Sequence, residues 1–337
     1  MTHARAAWSV IVALLVIAFG LIAGVPVGTR DLGSHPRRQL SYDSSVAEIA
    51  RRRESESLTV VSSGRSIVLT HGRRAPIAVL LLHGFTNSPR QFDSLARILY
   101  RDGDNVYIPR LPHHADSVRG PTALSDVTAE ELRAAADSAM DVSRALGDTV
   151  VVAGLSLGGT MAAWIAQYRV DATRVVVIAP MMALARVPEW LDGAVVNFAV
   201  RFPNVNKDLT HFDGEPDREL GWSTRAVGQI LRLGVAAERT AAREAPGSRA
   251  ISILLNGNDR TISAAPVLAL GRRWTTEGAS VQVYQLAASL GLPHDVIDPR
   301  QPIRRPDVVY PALVDLIHGR RPPLDAVADI TSTLPPR

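Results

Sequence analysis

The sequence predicts an α/β fold: a mostly parallel central sheet with helices on both faces and an inserted cap. Three observations predict it. Short continuous apolar runs recur through the middle of the chain, as expected of strands buried on both faces. Helical stretches separate those runs, and such alternation is the pattern of a parallel sheet. One run passes directly into a Gly-x-Ser-x-Gly turn and then a helix.

Taken in order, the first thirty residues stand apart. No residue from Ala6 to Val27 is charged, and the centre reads Val10-Ile11-Val12-Ala13-Leu14-Leu15-Val16-Ile17-Ala18-Phe19. About 20 apolar residues as a helix span roughly 30 Å, enough for a bilayer core. The segment 1–27 is therefore expected to be a transmembrane anchor. A cleaved secretory signal is the other reading, with Arg5 in the n-region and Ala23 and Gly24 near a cleavage point. Counting Arg5 against Arg30, Arg37 and Arg38 would keep the downstream domain in the cytoplasm. A short tail ahead of an exported domain argues the reverse, and the expectation leans to export. Residues 28–57, with Arg51-Arg52-Arg53 and several serines, read as a polar linker or a solvated helix, and 319–337 as a flexible tail.

The catalytic domain is expected over 58–318. Leu58–Val61 and Ser66–Leu69 suggest an antiparallel hairpin at a sheet edge. Strands follow at 77–82, 106–108, 150–153, 175–178, 251–255 and 281–284. Helices are expected at 89–101, 128–146, 160–168, 266–275 and 306–318. About seventy residues between the fourth and fifth of these strands are too many for a bare connection. They predict a cap over about 181–248, with Trp190, Phe198 and Trp222 among its apolar residues. Those residues either line an acyl site or simply cover the main domain.

Active sites of open parallel sheets lie beyond the carboxyl ends of the strands. Val150–Ala153 runs into Gly154-Leu155-Ser156-Leu157-Gly158-Gly159, a turn that lifts a serine oxygen above the sheet. A serine at its ordinary pKa needs a base, and the base needs an acid to orient it. In this motif class the order is Ser, Asp or Glu, then His. His211 falls in the cap and His318 at the end of the last helix, which leaves His294, in a loop after a strand, as the base. Asp259 follows the preceding strand and is the expected acid. Asp295 adjoins the histidine and should point away, and Asp298 is a reserve partner. Oxyanion donors are expected from the backbone N–H of Leu157 and of Phe85, with Gly84 allowing the turn after the first parallel strand. His83 reads as a structural hydrogen-bonder.

Leu82-His83-Gly84-Phe85, the segment 154–159, Asn258-Asp259 and Pro293-His294 together resemble the α/β-hydrolase superfamily. Within it the resemblance is to bacterial carboxylesterases and monoacylglycerol lipase-like serine hydrolases, and it covers roughly 58–318. It implies Ser156 as nucleophile, His294 as base, Asp259 as acid, and the Phe85 and Leu157 amides as the oxyanion hole. The family often carries Leu-Pro-Gly-His-Gly where this chain has Leu111-Pro112-His113-His114-Ala115. His113 there reads as a polar rim of the substrate site or part of a structural loop. A metal reading of the two histidines lacks ligands, since Asp116 is the only carboxylate close by.

Composition narrows the chemistry. The chain has 337 residues, 46% hydrophobic and 21% charged, with a net charge of +4 and no cysteine. That excludes thiol catalysis, disulfide scaffolds and cysteine metal sites. Aromatics at 5% and dispersed arginines give no nucleic-acid groove. The expected activity is hydrolysis of carboxylic esters, acyl-glycerol or other apolar acyl esters, through an acyl-enzyme. No cofactor and no metal is expected, and the partners are the ester substrate and the membrane. A proline-iminopeptidase-type peptidase, an acyltransferase and an inactive membrane-anchored binding module are the alternatives.

Overall fold

The computed structural model describes residues 2–37, 39–118, 120, 122–209 and 216–334, apart from the side chains of 2–7, 18 and 21–23. Its centre is an eight-stranded sheet. In chain order the strands are β1 (Ile67–Leu69), β2 (Ala75–Leu82), β3 (Asn105–Ile108), β4 (Gly147–Leu155), β5 (Arg174–Ile178), β8 (Ala250–Asn256), β9 (Ser280–Leu286) and β10 (Val327–Asp329). They lie side by side as β1-β3-β2-β4-β5-β8-β9-β10. The six inner strands pair in parallel, and only β1 on β3 and β10 on β9 are antiparallel.

The apolar runs behave as the period of a strand requires. Alternate residues of β2 divide between two cores, Ala78, Leu80 and Leu82 on one face and Val79 and Leu81 on the other. The first face is covered by α4 (Ala129–Ser143), α5 (Leu157–Tyr168), α7 (Thr224–Ala241) and α8 (Ala265–Thr276). The second is covered by α3 (Asp93–Arg101) and α9 (Pro306–Ile317). Helix α4 starts where a reciprocal Thr128–Glu131 capping box satisfies its first amides.

The insertion between β5 and β8 has two parts. Helix α6 (Asp192–Arg201) and a short antiparallel pair, β6 (Asn206–Asp208) with β7 (Gly221–Ser223), stand over the carboxyl ends of the strands. Helix α7 instead buries Ala226, Ile230, Leu233 and Ala237 in the main core, at the spacing of one helix face.

Several expectations need correction. No hairpin forms at the edge: residues 58 and 59 end a helix, α2 (Tyr42–Thr59), and β1 finds its partner in β3. Of the two readings of 28–57, the helix forms over Tyr42–Thr59, and the segment is no linker, because Leu32 and Ile49 are buried in the core. Of the expected tail, residues 319–334 are not loose, since β10 extends the sheet and Leu334 is buried, and 335–337 lie outside the described residues. The N-terminal stretch forms a helix, α1 (Thr2–Gly24), whose far end meets α6. No helix among the described residues is long and apolar enough to cross a membrane.

Candidate active site

Ser156 sits between β4 and α5 with φ 58° and ψ −113°, a backbone conformation that costs a non-glycine residue about 1–3 kcal/mol. Its neighbours hold it there. The Ser156 N–H donates to the Ile178 carbonyl at 3.0 Å, and its own carbonyl accepts from Thr160 N–H at 2.8 Å and Met181 N–H at 3.1 Å. Two glycines make the turn possible by close approach. A Cβ on Gly158 would lie 1.9 Å from the Leu82 carbonyl oxygen, and one on Gly154 would lie 2.1 Å from that of Gly158.

His294 lies beyond β9 and Asp259 beyond β8. His294 Nδ1 and Asp259 Oδ2 are 2.6 Å apart. The other carboxylate oxygen accepts from the N–H groups of Thr261 (2.8 Å) and Ile262 (3.3 Å). Burial would raise this carboxyl, but the bond and charge of His294 and the two amides outweigh it and hold Asp259 below the usual carboxylate range. Two asparagines tie the loops together. Asn256 Nδ2 donates to the carbonyls of Leu292 and Pro293, and Asn258 Nδ2 to that of Leu292. That stapling fixes His294 relative to Asp259, and residue type alone gave no sign of it.

Neither of the other two aspartates touches the ring. Asp295 accepts from Asn87 and Gln301, and Asp298 is paired with Arg300. His294 Nε2 is buried and has no hydrogen-bond partner among the described residues. It and Ser156 border one cavity of about 690 Å³, otherwise lined mainly by apolar side chains such as Met181, Val195, Phe202 and Trp222. The Leu157 and Phe85 amides donate to no protein acceptor among the described residues. Thr86, next to Phe85, is held at φ 64°.

The remaining sequence candidates divide. Phe198 lines the cavity. Trp190 does not; it is 80% exposed and borders a separate groove beside α1. Gly84 donates its N–H to Gln91 Oε1 at 2.7 Å and is not part of the cavity wall. His113 pairs with Glu131 at the start of α4 and also lies outside the cavity. The 111–115 loop explains that placement. His113 and Ala115 occupy the positions where the resembling family often has glycine, and both keep positive φ, 65° and 57°. The backbone course survives without the glycines and aims His113 at the helix. His83 is fully buried; Leu111 N–H donates to its Nε2 and its Nδ1 donates to the Gly84 carbonyl. Burial pushes its pKa down to about 4, so it stays neutral and structural. His318 is paired with Asp104 far from the cavity, and His211 lies outside the described residues.

Two features escaped the sequence reading. Phe19, from the N-terminal segment, lines the cavity. Asp217, in the cap, is fully buried and accepts from Ser88, Arg90 and Arg300, joining the cap to the main domain. A lone aspartate in a polar loop carries no periodic signal that could have revealed it.

The model of the alpha/beta hydrolase family matches residues 79–330, three quarters of the chain. The chain belongs to that family. Its sequence is 26% identical over 192 residues to the thermostable monoacylglycerol lipase of Bacillus sp. (strain H-257), covering 56% of this chain and 72% of that one. The fold is shared with the monoacylglycerol lipase of Paleococcus ferrophilus, at a TM-score of 0.56 and 16% identity over 75% of this chain and 98% of that one. It is shared as well with a soluble variant of monoglyceride lipase from Saccharomyces cerevisiae, at a TM-score of 0.52 and 13% identity, covering 75% and 90%.

Proposed function

We propose that this alpha/beta hydrolase is a serine hydrolase of carboxylic esters with apolar acyl chains, acyl-glycerols among them. The observation that carries the reading is one cavity bordered by both Ser156 and His294, with Asp259 on the far side of the imidazole. In the proposed reaction Ser156 Oγ attacks the ester carbonyl while His294 Nε2 takes its proton. Asp259 holds Nδ1–H, which leaves Nε2 as the basic nitrogen and stabilises the imidazolium as it forms. The Leu157 and Phe85 N–H groups, which donate to no protein acceptor among the described residues, are the donors proposed for the oxyanion. His294 then protonates the leaving alcohol, and water activated by the same nitrogen hydrolyses the acyl-enzyme.

The apolar walls support a hydrocarbon acyl group, since desolvating each methylene contributes about 0.8 kcal/mol. The named activity of the Bacillus relative supports an acyl-glycerol. A panel of p-nitrophenyl esters and monoacylglycerols of increasing chain length, run beside matched amides, tests this. Hydrolysis is expected to rise with acyl length over the first several carbons, with amides at least a hundredfold slower. Faster cleavage of amides, or no dependence on acyl length, would overturn the substrate class.

Export belongs to the same proposal, and what supports it is the uncharged apolar stretch from Ala6 to Val27, retained in the chain as helix α1 and the segment that follows it. Fractionation of cells producing the full chain should place the activity in the membrane or exported fraction. Activity confined to the cytosol would refute it.

A further inference from the structure

The apolar cavity is not built by the catalytic domain and cap alone. Its lining includes one residue of α1, Phe19, alongside Phe198 and Phe202 from the end of α6. The Phe19 ring lies 6.0 Å from that of Phe198 and 6.3 Å from that of Phe202, centroid to centroid, and the latter two stack at 3.8 Å. Phe19 is 53% exposed and Phe198 40%, so this aromatic group faces solvent on one side and the cavity on the other. It forms an outer wall.

The helix that supplies Phe19 is held in place by the chain that follows it. Val27 N–H donates to Asn197 Oδ1 at 2.9 Å, next to Phe198 on α6. Arg201 donates to the Val25 carbonyl at 2.7 Å, Arg239 to that of Val27 at 2.7 Å and Arg232 to that of Gly28 at 2.7 Å. Beyond them Leu32 is buried and its carbonyl accepts from Trp164 Nε1 at 2.7 Å. Residues 25–32 therefore form a strap fixed to α5, α6 and α7. The strap delivers the last turns of α1 to the cap-side end of the cavity.

We propose that Phe19 closes that end of the cavity and sets the longest acyl chain the enzyme accepts. This rests on the ester-hydrolase reading given above. Hydrocarbon reaching past the α6 aromatics meets the Phe19 ring, and a smaller side chain there leaves room for further methylenes. Each additional methylene removed from water contributes about fourfold in kcat/KM. Acyl-length selection is then a property of the N-terminal segment, and any processing that separates residues 1–24 from the strap would widen it.

The test compares the full chain with Phe19→Ala and Phe19→Trp over p-nitrophenyl esters from butyrate to palmitate. The readout is the ratio of kcat/KM between the longest and shortest esters, which is independent of the fraction of folded enzyme in each preparation. Phe19→Ala should raise that ratio at least about tenfold, the gain from roughly two methylenes, and Phe19→Trp should lower it. An unchanged ratio in both variants would overturn the proposal. Binding of fatty acids of eight to eighteen carbons to Ser156→Ala, with and without Phe19→Ala, is measured by displacement of a fluorescent apolar probe and needs no turnover. A wild-type protein that cleaves no ester would refute the ester-hydrolase reading, while the binding profile would still judge Phe19. Identical length profiles in that assay would count against it.

Discussion

Ser156→Ala is expected to lower kcat for ester hydrolysis by about 10⁵- to 10⁶-fold and to abolish labelling by a fluorophosphonate probe. The size of the effect follows from what is removed. Without Ser156 Oγ no acyl-enzyme forms, and what remains is water attacking an ester held near the oxyanion donors. The substitution is also a clean one. Ser156 holds its position through its backbone N–H and carbonyl, so alanine keeps the bonds to Ile178, Thr160 and Met181. The variant should therefore melt within a few degrees of the wild type, and loss of activity could not be blamed on unfolding. Steady-state hydrolysis beside a thermal melt makes the check. More than a tenth of wild-type activity would remove Ser156 from the mechanism.

Asp259→Asn is expected to reduce kcat by about 10⁴-fold with little change in KM. Asparagine fits the same space, but its amide can present a donor to Nδ1 and favour the tautomer with the proton on Nε2. The nitrogen facing the cavity would then be unable to accept from serine. The wild-type carboxyl is held below its usual range by the His294 bond and the Thr261 and Ile262 amides, against the effect of burial. A depressed carboxyl keeps its charge as the pH falls until the lowered value is reached. Protonation of Asp259 should thus affect the wild type only below about pH 3.9, the ordinary aspartate value. Above that pH, any acid-side loss of activity belongs to another group. Kinetics of the variant from pH 5 to 9, where the wild-type Asp259 is ionised, test its role in orienting the base, and a loss of less than tenfold would show that Asp259 does not orient it.

Much of the fold and of the site was legible because both rest on strong local signals. The inner strands announced themselves as runs such as Val79–Leu82 and Val150–Ala153, which must be apolar on both faces of a covered sheet. Ser156, Asp259 and His294 could be placed because each follows a strand, and a parallel sheet brings successive strand ends to one edge. The elements that were misread carry weak or long-range signals. Strand β1 lies where a strand was expected, but its partner was misread, because it pairs with β3 some forty positions away and not with the chain just before it. Strand β10 lies among prolines and exists only because β9 offers an open edge. Helix α2 presents little apolar surface beyond Ile49, so its serines and arginines fitted a polar linker as well as the solvated helix that forms there. Trp190 was chosen as an aromatic in an apolar stretch, yet nothing in residue type tells an inward ring from an outward one. Phe19 was hidden for the opposite reason. Its run is so uniformly apolar that a bilayer accounted for every residue, and only the three-dimensional strap shows one ring turned into the cavity.

The central claim is that Ser156 attacks substrate with His294 as its base, and the most direct measurement is the site of covalent capture. The full chain should be treated with a long-chain fluorophosphonate and digested, and the modified peptide sequenced by mass spectrometry. A single adduct on Ser156, formed in the wild type and suppressed in His294→Ala, is the predicted result. An adduct on another residue, or ester hydrolysis that continues with Ser156 unmodified, would contradict it.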